Sequence, residues 1–213
     1  MLLYLHGFRS SPRSLKAQQV QAAMEARGCA EELFIPNLPA APREAIALAE
    51  HLLAPHVRTG NLTFIGSSLG GFYATWLAEK YGGRAVLLNP AIYPWDDLQQ
   101  HLGKQTIYFS DEEMELLPQH LDDLRALDTP QLSWPERYLL LACTGDEVLD
   151  WRDMAAKYAD AEQIIIQGGE HALSAFPDYL ETVLTFCGYP RLADDDSVNT
   201  SPHCAEQNLE HGA

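Results

Sequence analysis

The sequence is poor in cationic residues, with 14 Lys and Arg against 30 Asp and Glu and a formal net charge of −16. That balance excludes nucleic acid as a partner, because such binding rests on Lys and Arg contacts to phosphate. It also disfavours anionic membrane surfaces. Long hydrophobic runs are absent. No segment approaches the ~20 apolar residues that span a bilayer. The short run from Met1 to His6 has no basic region ahead of it and no cleavage site behind it, so it reads as a first strand rather than a signal peptide. The chain is therefore expected in the cytoplasm. Four cysteines, Cys29, Cys143, Cys187 and Cys204, show no C-x-x-C spacing, which argues against a zinc site or a disulfide framework. Cys143 falls within a predicted strand and reads as a small buried apolar residue. The phosphate-cradling patterns G-x-x-x-x-G-K-[ST] and strand-G-x-G-x-x-G are also missing.

What is present begins with Gly66-Ser67-Ser68-Leu69-Gly70, a G-x-S-x-G pattern. Before it, Leu62-Thr63-Phe64-Ile65 is apolar and β-rich. After it, residues 72–80 have helical spacing. A serine on so sharp a strand-to-helix turn needs small neighbours two residues away, and glycine supplies both the missing side chain and the free φ. Ser68 would stand above the sheet edge, with Ser67 pointing away. Three further segments follow the same logic. Leu2–Leu5 runs into His6-Gly7-Phe8 and a polar loop. Tyr138–Cys143 runs into Thr144-Gly145-Asp146. Gln163–Gln167 runs into Gly168-Gly169-Glu170-His171. A histidine is suited to taking a proton from serine near neutral pH and returning it to a leaving group. A carboxylate orients the imidazole and stabilises its charged form. Asp146 is preferred over Asp150 as that carboxylate, since Asp150 stands where a helix from Trp151 needs an N-cap. The chain order Ser68, Asp146, His171 is that of α/β-hydrolases, in which the oxyanion-binding N–H groups would come from Phe8 and Leu69.

Strands and helices alternate along the chain: strands at 2–6, 32–36, 63–66, 85–89, 137–144 and 163–167, helices at 14–27, 42–57, 69–81, 151–159 and 175–187. Alternation of this kind predicts an α/β fold with a mostly parallel sheet of about six strands and helices on both faces. Residues 90–135 interrupt the pattern, with Trp95, Tyr108, Phe109 and Trp134 and a predicted helix at Pro118–Leu127. They read either as a cap over the site or as a helical connection that covers the sheet. Asn89 and Pro90 are candidates for lining the pocket. Arg9, Arg13 and Lys16 could receive an anionic substrate, but read more simply as a solvated first turn of a helix. Residues 191–213, with Asp194-Asp195-Asp196, show no periodicity and read as a disordered tail. In that setting His203, Cys204 and His211 make a poor metal site.

The run Leu5-His6-Gly7-Phe8-Arg9-Ser10-Ser11-Pro12 with Ser14 and Lys16-Ala17, together with the segments around Ser68, Asp146 and His171, resembles the YqiA-type esterases, a bacterial α/β-hydrolase family, over residues 1–190. The resemblance implies a minimal α/β-hydrolase domain at 1–190, its cap or insert at 90–135. It implies a small esterase or thioesterase with Ser68 as nucleophile, Asp146 as acid and His171 as base. The expected substrate is a small-molecule acyl ester or thioester, with no cofactor and no metal. A non-catalytic binding scaffold is the remaining alternative, disfavoured because all three triad candidates are present. The sequence fixes no oligomeric state.

Overall fold

In the computed structural model, residues 1–108 and 110–191 are described. Among them lie eight strands: β1 (Leu2–Leu5), β2 (Leu33–Phe34), β3 (Thr63–Ser67), β4 (Arg84–Leu88), β5 (Gly103–Thr106), β6 (Glu113–Leu116), β7 (Tyr138–Cys143) and β8 (Glu162–Ile166). Six of these form one sheet in the order β2-β1-β3-β4-β7-β8, with every pairing parallel. The central strands β1, β3 and β7 are buried along their whole length, which is what a parallel sheet covered on both faces demands.

The helices that cover it are α1 (Leu15–Ala26), α2 (Pro42–Leu53), α3 (Leu69–Tyr81), α4 (Pro94–Asp97), α5 (Pro118–Ala126), α6 (Trp151–Lys157) and α7 (Phe176–Phe186). Strand side chains alternate between two cores. Leu2, Tyr4, Ile65, Val86 and Leu139 pack with Val20 and Met24 of α1 and Val183 and Leu184 of α7. Leu3, Leu5, Phe64, Leu87 and Leu140 pack with residues of α2, α3, α5 and α6 on the other face. No helix among the described residues is long and apolar enough to cross a membrane.

The structure departs from the sequence reading in two places. The second long helix ends at Leu53 rather than Val57. Pro55 has no N–H to donate back to the preceding turn, so the helix cannot propagate through it. Between α4 and α5, where no strand was anticipated, β5 and β6 pair as an antiparallel hairpin. From residue 192 onward, the expected tail and with it His203, Cys204 and His211 lie outside the described residues.

Sheet order fixes where a site can form. The chain leaves β1 toward β2, then returns to place β3 on the opposite side of β1 and continues outward. Loops after β1 and β3 therefore diverge at a topological switch point, the place where open α/β sheets hold ligands beyond their carboxyl ends.

Candidate active site

Ser68 stands alone between the last residue of β3 and the first of α3. Its backbone sits at φ 54, ψ −121. For a residue with a β-carbon that conformation costs about 1–3 kcal/mol and persists only if the surroundings enforce it. Here they do. The Ser68 N–H donates to Leu88 O at 3.0 Å, and its carbonyl accepts from Gly71 N at 2.8 Å and Ala91 N at 3.1 Å. Helix and strand meet so closely that a Cβ on Gly66 would collide with the Gly70 carbonyl, and one on Gly70 with the carbonyls of Leu5 and His6. The two glycines of the pattern are thus steric requirements of the turn.

His171 Nε2 lies 3.0 Å from Ser68 Oγ, and Nδ1 lies 2.8 Å from Asp146 Oδ2. Asp146 Oδ1 accepts the N–H groups of Val148 and Leu149, both at 2.9 Å, which leaves Oδ2 for the imidazole. A carboxylate that only accepts there fixes the tautomer: Nδ1 carries the proton, and Nε2 is free to accept from the serine hydroxyl. The Asp146 side chain is fully buried while that of His171 is 21% exposed, so the line runs from the interior to an accessible tip. Asp150 is elsewhere, capping α6 by accepting from Arg152 N at 2.9 Å.

These groups open on a cavity of about 420 Å³ whose wall includes Phe8, Leu69, Ser68, His171, Leu98 and Leu149. Phe8 and Leu69, expected as oxyanion donors, both line it. Leu69 is the first residue of α3, where a backbone N–H has no acceptor within the helix and the helix dipole favours negative charge. Ser67, expected to point away, belongs to the wall as well, although the imidazole bonds to Ser68. Among the described residues no group of three or more His, Cys, Asp or Glu side chains is arranged to hold a metal ion.

A family model described as an uncharacterised protein family, UPF0227, matches residues 1–188. The chain belongs to UPF0227, the YqiA family. Its fold is that of the α/β-hydrolases. A putative hydrolase from Agrobacterium vitis S4 is similar at 16% identity, with 87% of each chain covered and a TM-score of 0.65. The esterase domain of a Rhodothermus marinus protein is 17% identical over 87% of this chain and 85% of that one, with a TM-score of 0.61. A Paleococcus ferrophilus monoacylglycerol lipase is 13% identical over 88% and 94% of the two chains, with a TM-score of 0.59.

Several residues of this UPF0227 chain have roles that differ from the sequence reading. Asn89 does not line the cavity but is buried beneath it, at φ 42. Its Nδ2 donates to the carbonyls of Glu170 (3.1 Å) and His171 (3.2 Å), and its Oδ1 accepts from Cys143 N at 2.8 Å. It thereby ties the histidine loop to the end of β7. Pro90 is likewise buried and lies against Gly71 rather than in the cavity wall. Lys16 is not a solvated first-turn residue. It lines the cavity, and its Nζ donates to Ala172 O at 2.5 Å. Burial holds its ammonium below the usual lysine range. Arg9 donates from Nε to Thr106 O at 2.7 Å and stacks 4.5 Å over the Tyr108 ring, so it docks the β5–β6 hairpin on the loop after β1. Arg13 is exposed, as expected.

His6 is a second residue with unforeseen contacts. It is buried, with Nδ1 donating to Gly7 O and Nε2 accepting from Leu38 N, each at 3.0 Å. Burial pushes its imidazole below the ordinary histidine range, which suits a neutral ring with one donor and one acceptor. Cys143 is buried and free, its thiol pushed up by burial. The loop signals Gly-Asp and Gly-Gly-Glu-His marked Asp146 and His171, which the structure brings together with Ser68. The sequence points to both Asn89 and His6, but no local pattern gives their contacts, whose partners come from distant segments.

Proposed function

We propose that this chain is a serine esterase that cleaves small acyl esters through an acyl-enzyme. The reading rests on one observation: the hydrogen-bonded line from Asp146 through His171 to Ser68, ending in an accessible cavity. In the first half-reaction Ser68 Oγ attacks the ester carbonyl carbon while Nε2 of His171 takes the hydroxyl proton. Asp146 stabilises the resulting imidazolium without accepting its proton. The carbonyl oxygen becomes an anion and is received by the N–H groups of Leu69 and Phe8, each such donor being worth about 2.7–4 kcal/mol in a well-studied hydrolase. The imidazolium then returns its proton to the departing alcohol. In the second half, water replaces the alcohol, the same histidine takes its proton, and the acid leaves as Ser68 is regenerated.

In this reading residues 1–190 form the hydrolase unit and 90–135 its cap, since Pro94, Leu98, His101 and Tyr108 all contribute to the cavity wall. Cys143 and Cys187 are free thiols, in keeping with action in the cytoplasm. The test is covalent labelling with a fluorophosphonate, followed by release of p-nitrophenol from p-nitrophenyl butyrate. Ser68→Ala is expected to abolish labelling and to lower kcat by at least about 10⁴-fold, whereas Ser67→Ala retains both. Folded wild-type protein that neither labels nor turns over would sink the esterase and promote the binding scaffold. Rates on an acyl-CoA measured beside the p-nitrophenyl ester decide between oxygen ester and thioester.

A further inference from the structure

Two carboxylates line the cavity, Asp97 and Glu147, and they are not equivalent. Glu147 accepts the backbone N–H of His171 at 3.0 Å. No donor among the described residues reaches the carboxylate of Asp97, whose backbone alone is engaged. Asp97 is the last residue of α4, partly buried in the wall. Burial, reinforced by the like charges of Asp96 and Asp153, pushes its carboxyl up to about 6. A desolvated acceptor costs stability unless a hydrogen bond satisfies it, and here the protein supplies none. Its oxygens stay open to solvent on the cavity side, where a donor on a ligand can take the place of water.

The position of Asp97 indicates which part of an ester would provide it. Asp97 and His171 line the same cavity, and a charge on the imidazole favours the ionised carboxylate. The leaving alcohol occupies that side of the reacting carbon, because Nε2 must hand a proton to its oxygen. Gln100 and His101 follow on the same segment and line the same cavity, so the wall near Asp97 is polar. Phe8, Leu69 and Leu149 supply apolar surface in the same cavity for an acyl chain.

We propose that the preferred ester carries a hydrogen-bond donor on its alcohol portion, a hydroxyl or an ammonium group, and that Asp97 accepts it. The assignment rests on the esterase reading above. A site built to bond a donor discriminates strongly against an analogue lacking it, because the buried group is then left unpaired. The experiment compares kcat/KM of the full chain for propyl butyrate, 3-hydroxypropyl butyrate and 3-(dimethylamino)propyl butyrate at neutral pH, followed by acid release. The expected result is a preference of at least about tenfold for a donor-bearing ester over propyl butyrate, the scale of a hydrogen bond to a charged group. In Asp97→Ala that ratio falls to about one, whatever happens to the absolute rates. Asp97→Asn separates the two donors: it keeps a hydroxyl preference and loses an ammonium preference.

Equal handling of all three esters by the wild type overturns the assignment while leaving the esterase intact, and so does a preference that survives in Asp97→Ala. Failure to release acid from any of them, with no fluorophosphonate labelling of Ser68, overturns both. The wild-type ratio alone is decisive if a variant does not fold.

Discussion

The sheet rim that carries Ser68, Asp146 and His171 and the excursion between Pro90 and Pro135 are held by different kinds of contact. On the rim, backbone meets backbone: the Gly70 Cα lies against the carbonyls after β1, and Ser68, Asn89 and Thr144 each bond across to a neighbouring strand end. The excursion sinks Ile92, Leu98, Leu116, Leu121 and Leu124 into the core, and its charged contacts lie mostly at the surface. One of its ion pairs, Lys157–Asp128, is more enclosed, while three others, Arg43–Asp123, Lys104–Glu113 and Arg125–Asp122, have at least one partner largely exposed. Pairs of that kind contribute about 0–1 kcal/mol each. Arg9 adds one side-chain and one backbone hydrogen bond and a ring contact to the hairpin. The proposed proton relay thus stands on the stiff part, where a misplacement of about 1 Å is costly. The wall that would sort substrates stands on the part that can adapt.

Gly70→Ala attacks the stiff side most directly. The added methyl would press into the Leu5 and His6 carbonyls, which the parallel sheet holds in place. The expected outcome is a loss of about 4 kcal/mol or more, the range reserved for buried collisions, read as a shift in the urea midpoint. A shift below 1 kcal/mol would mean that the elbow is as yielding as the excursion.

Asn89→Ala comes next. It leaves the Cys143 N–H and the carbonyls of Glu170 and His171 without their side-chain partner, at about 1–3 kcal/mol for a buried group left unpaired. Because the histidine loop loses its anchor, kcat is expected to fall about 100-fold, the scale set by a 1 Å misplacement. KM and the far-UV circular dichroism should change little. An unchanged kcat with lowered stability would reduce Asn89 to a strut.

Much of this arrangement is legible in the sequence because its chemistry is local. The helix after Ser68 spans Leu69–Tyr81 as the spacing predicts, since Gly82 provides the left-handed stop at φ 78. Each strand before Ser68, Asp146 or His171 contains a short apolar run closed by a glycine-containing turn. What local pattern could not carry is either long-range or weakly patterned. The anchoring bonds of Asn89 reach 54 to 82 residues along the chain, and the His6 bond to Leu38 reaches 32. The hairpin strand Gly103-Lys104-Gln105-Thr106 has no apolar face, and its partner Glu113-Met114-Glu115-Leu116 alternates over four residues only, too short a run to announce a hairpin without it.

Arg9→Ala tests the other side of the comparison. The hairpin loses the bond to Thr106 O and the stacking on Tyr108, while the backbone bond from Tyr108 N to Arg9 O remains. Global stability should drop by no more than about 1 kcal/mol. Amide hydrogen exchange should quicken over residues 103–116 and stay unchanged in β3 and α3, and KM should rise with kcat largely kept. Protection lost equally in both regions would show that rim and excursion open as one unit.

The smallest effect expected is one of opposite sign. In the folded chain the carboxyl of Asp97 is pushed up to about 6 from 3.8, first by burial and then by Asp96 and Asp153. The folded state therefore holds this proton more tightly than the unfolded state does. Stability contributed by the group is whole below the unfolded value and declines as pH rises through the folded one. Around Asp97 stand Asp96 on the same helix, with Arg125 of α5 3.8 Å from it, Asp153 of α6, and His171. All are retained in Asp97→Asn, so the difference between variant and wild type isolates this one charge. Thermal unfolding should find the variant more stable by a few degrees at neutral pH, with the gap closing as pH falls toward 4. A gain of stability on removing a wall residue is what a binding group held at a structural cost predicts. A variant that melts lower at neutral pH would instead assign Asp97 to the same structural class as Asn89 and Gly70, and the division between a stiff rim and an adaptable wall would have to be redrawn at α4.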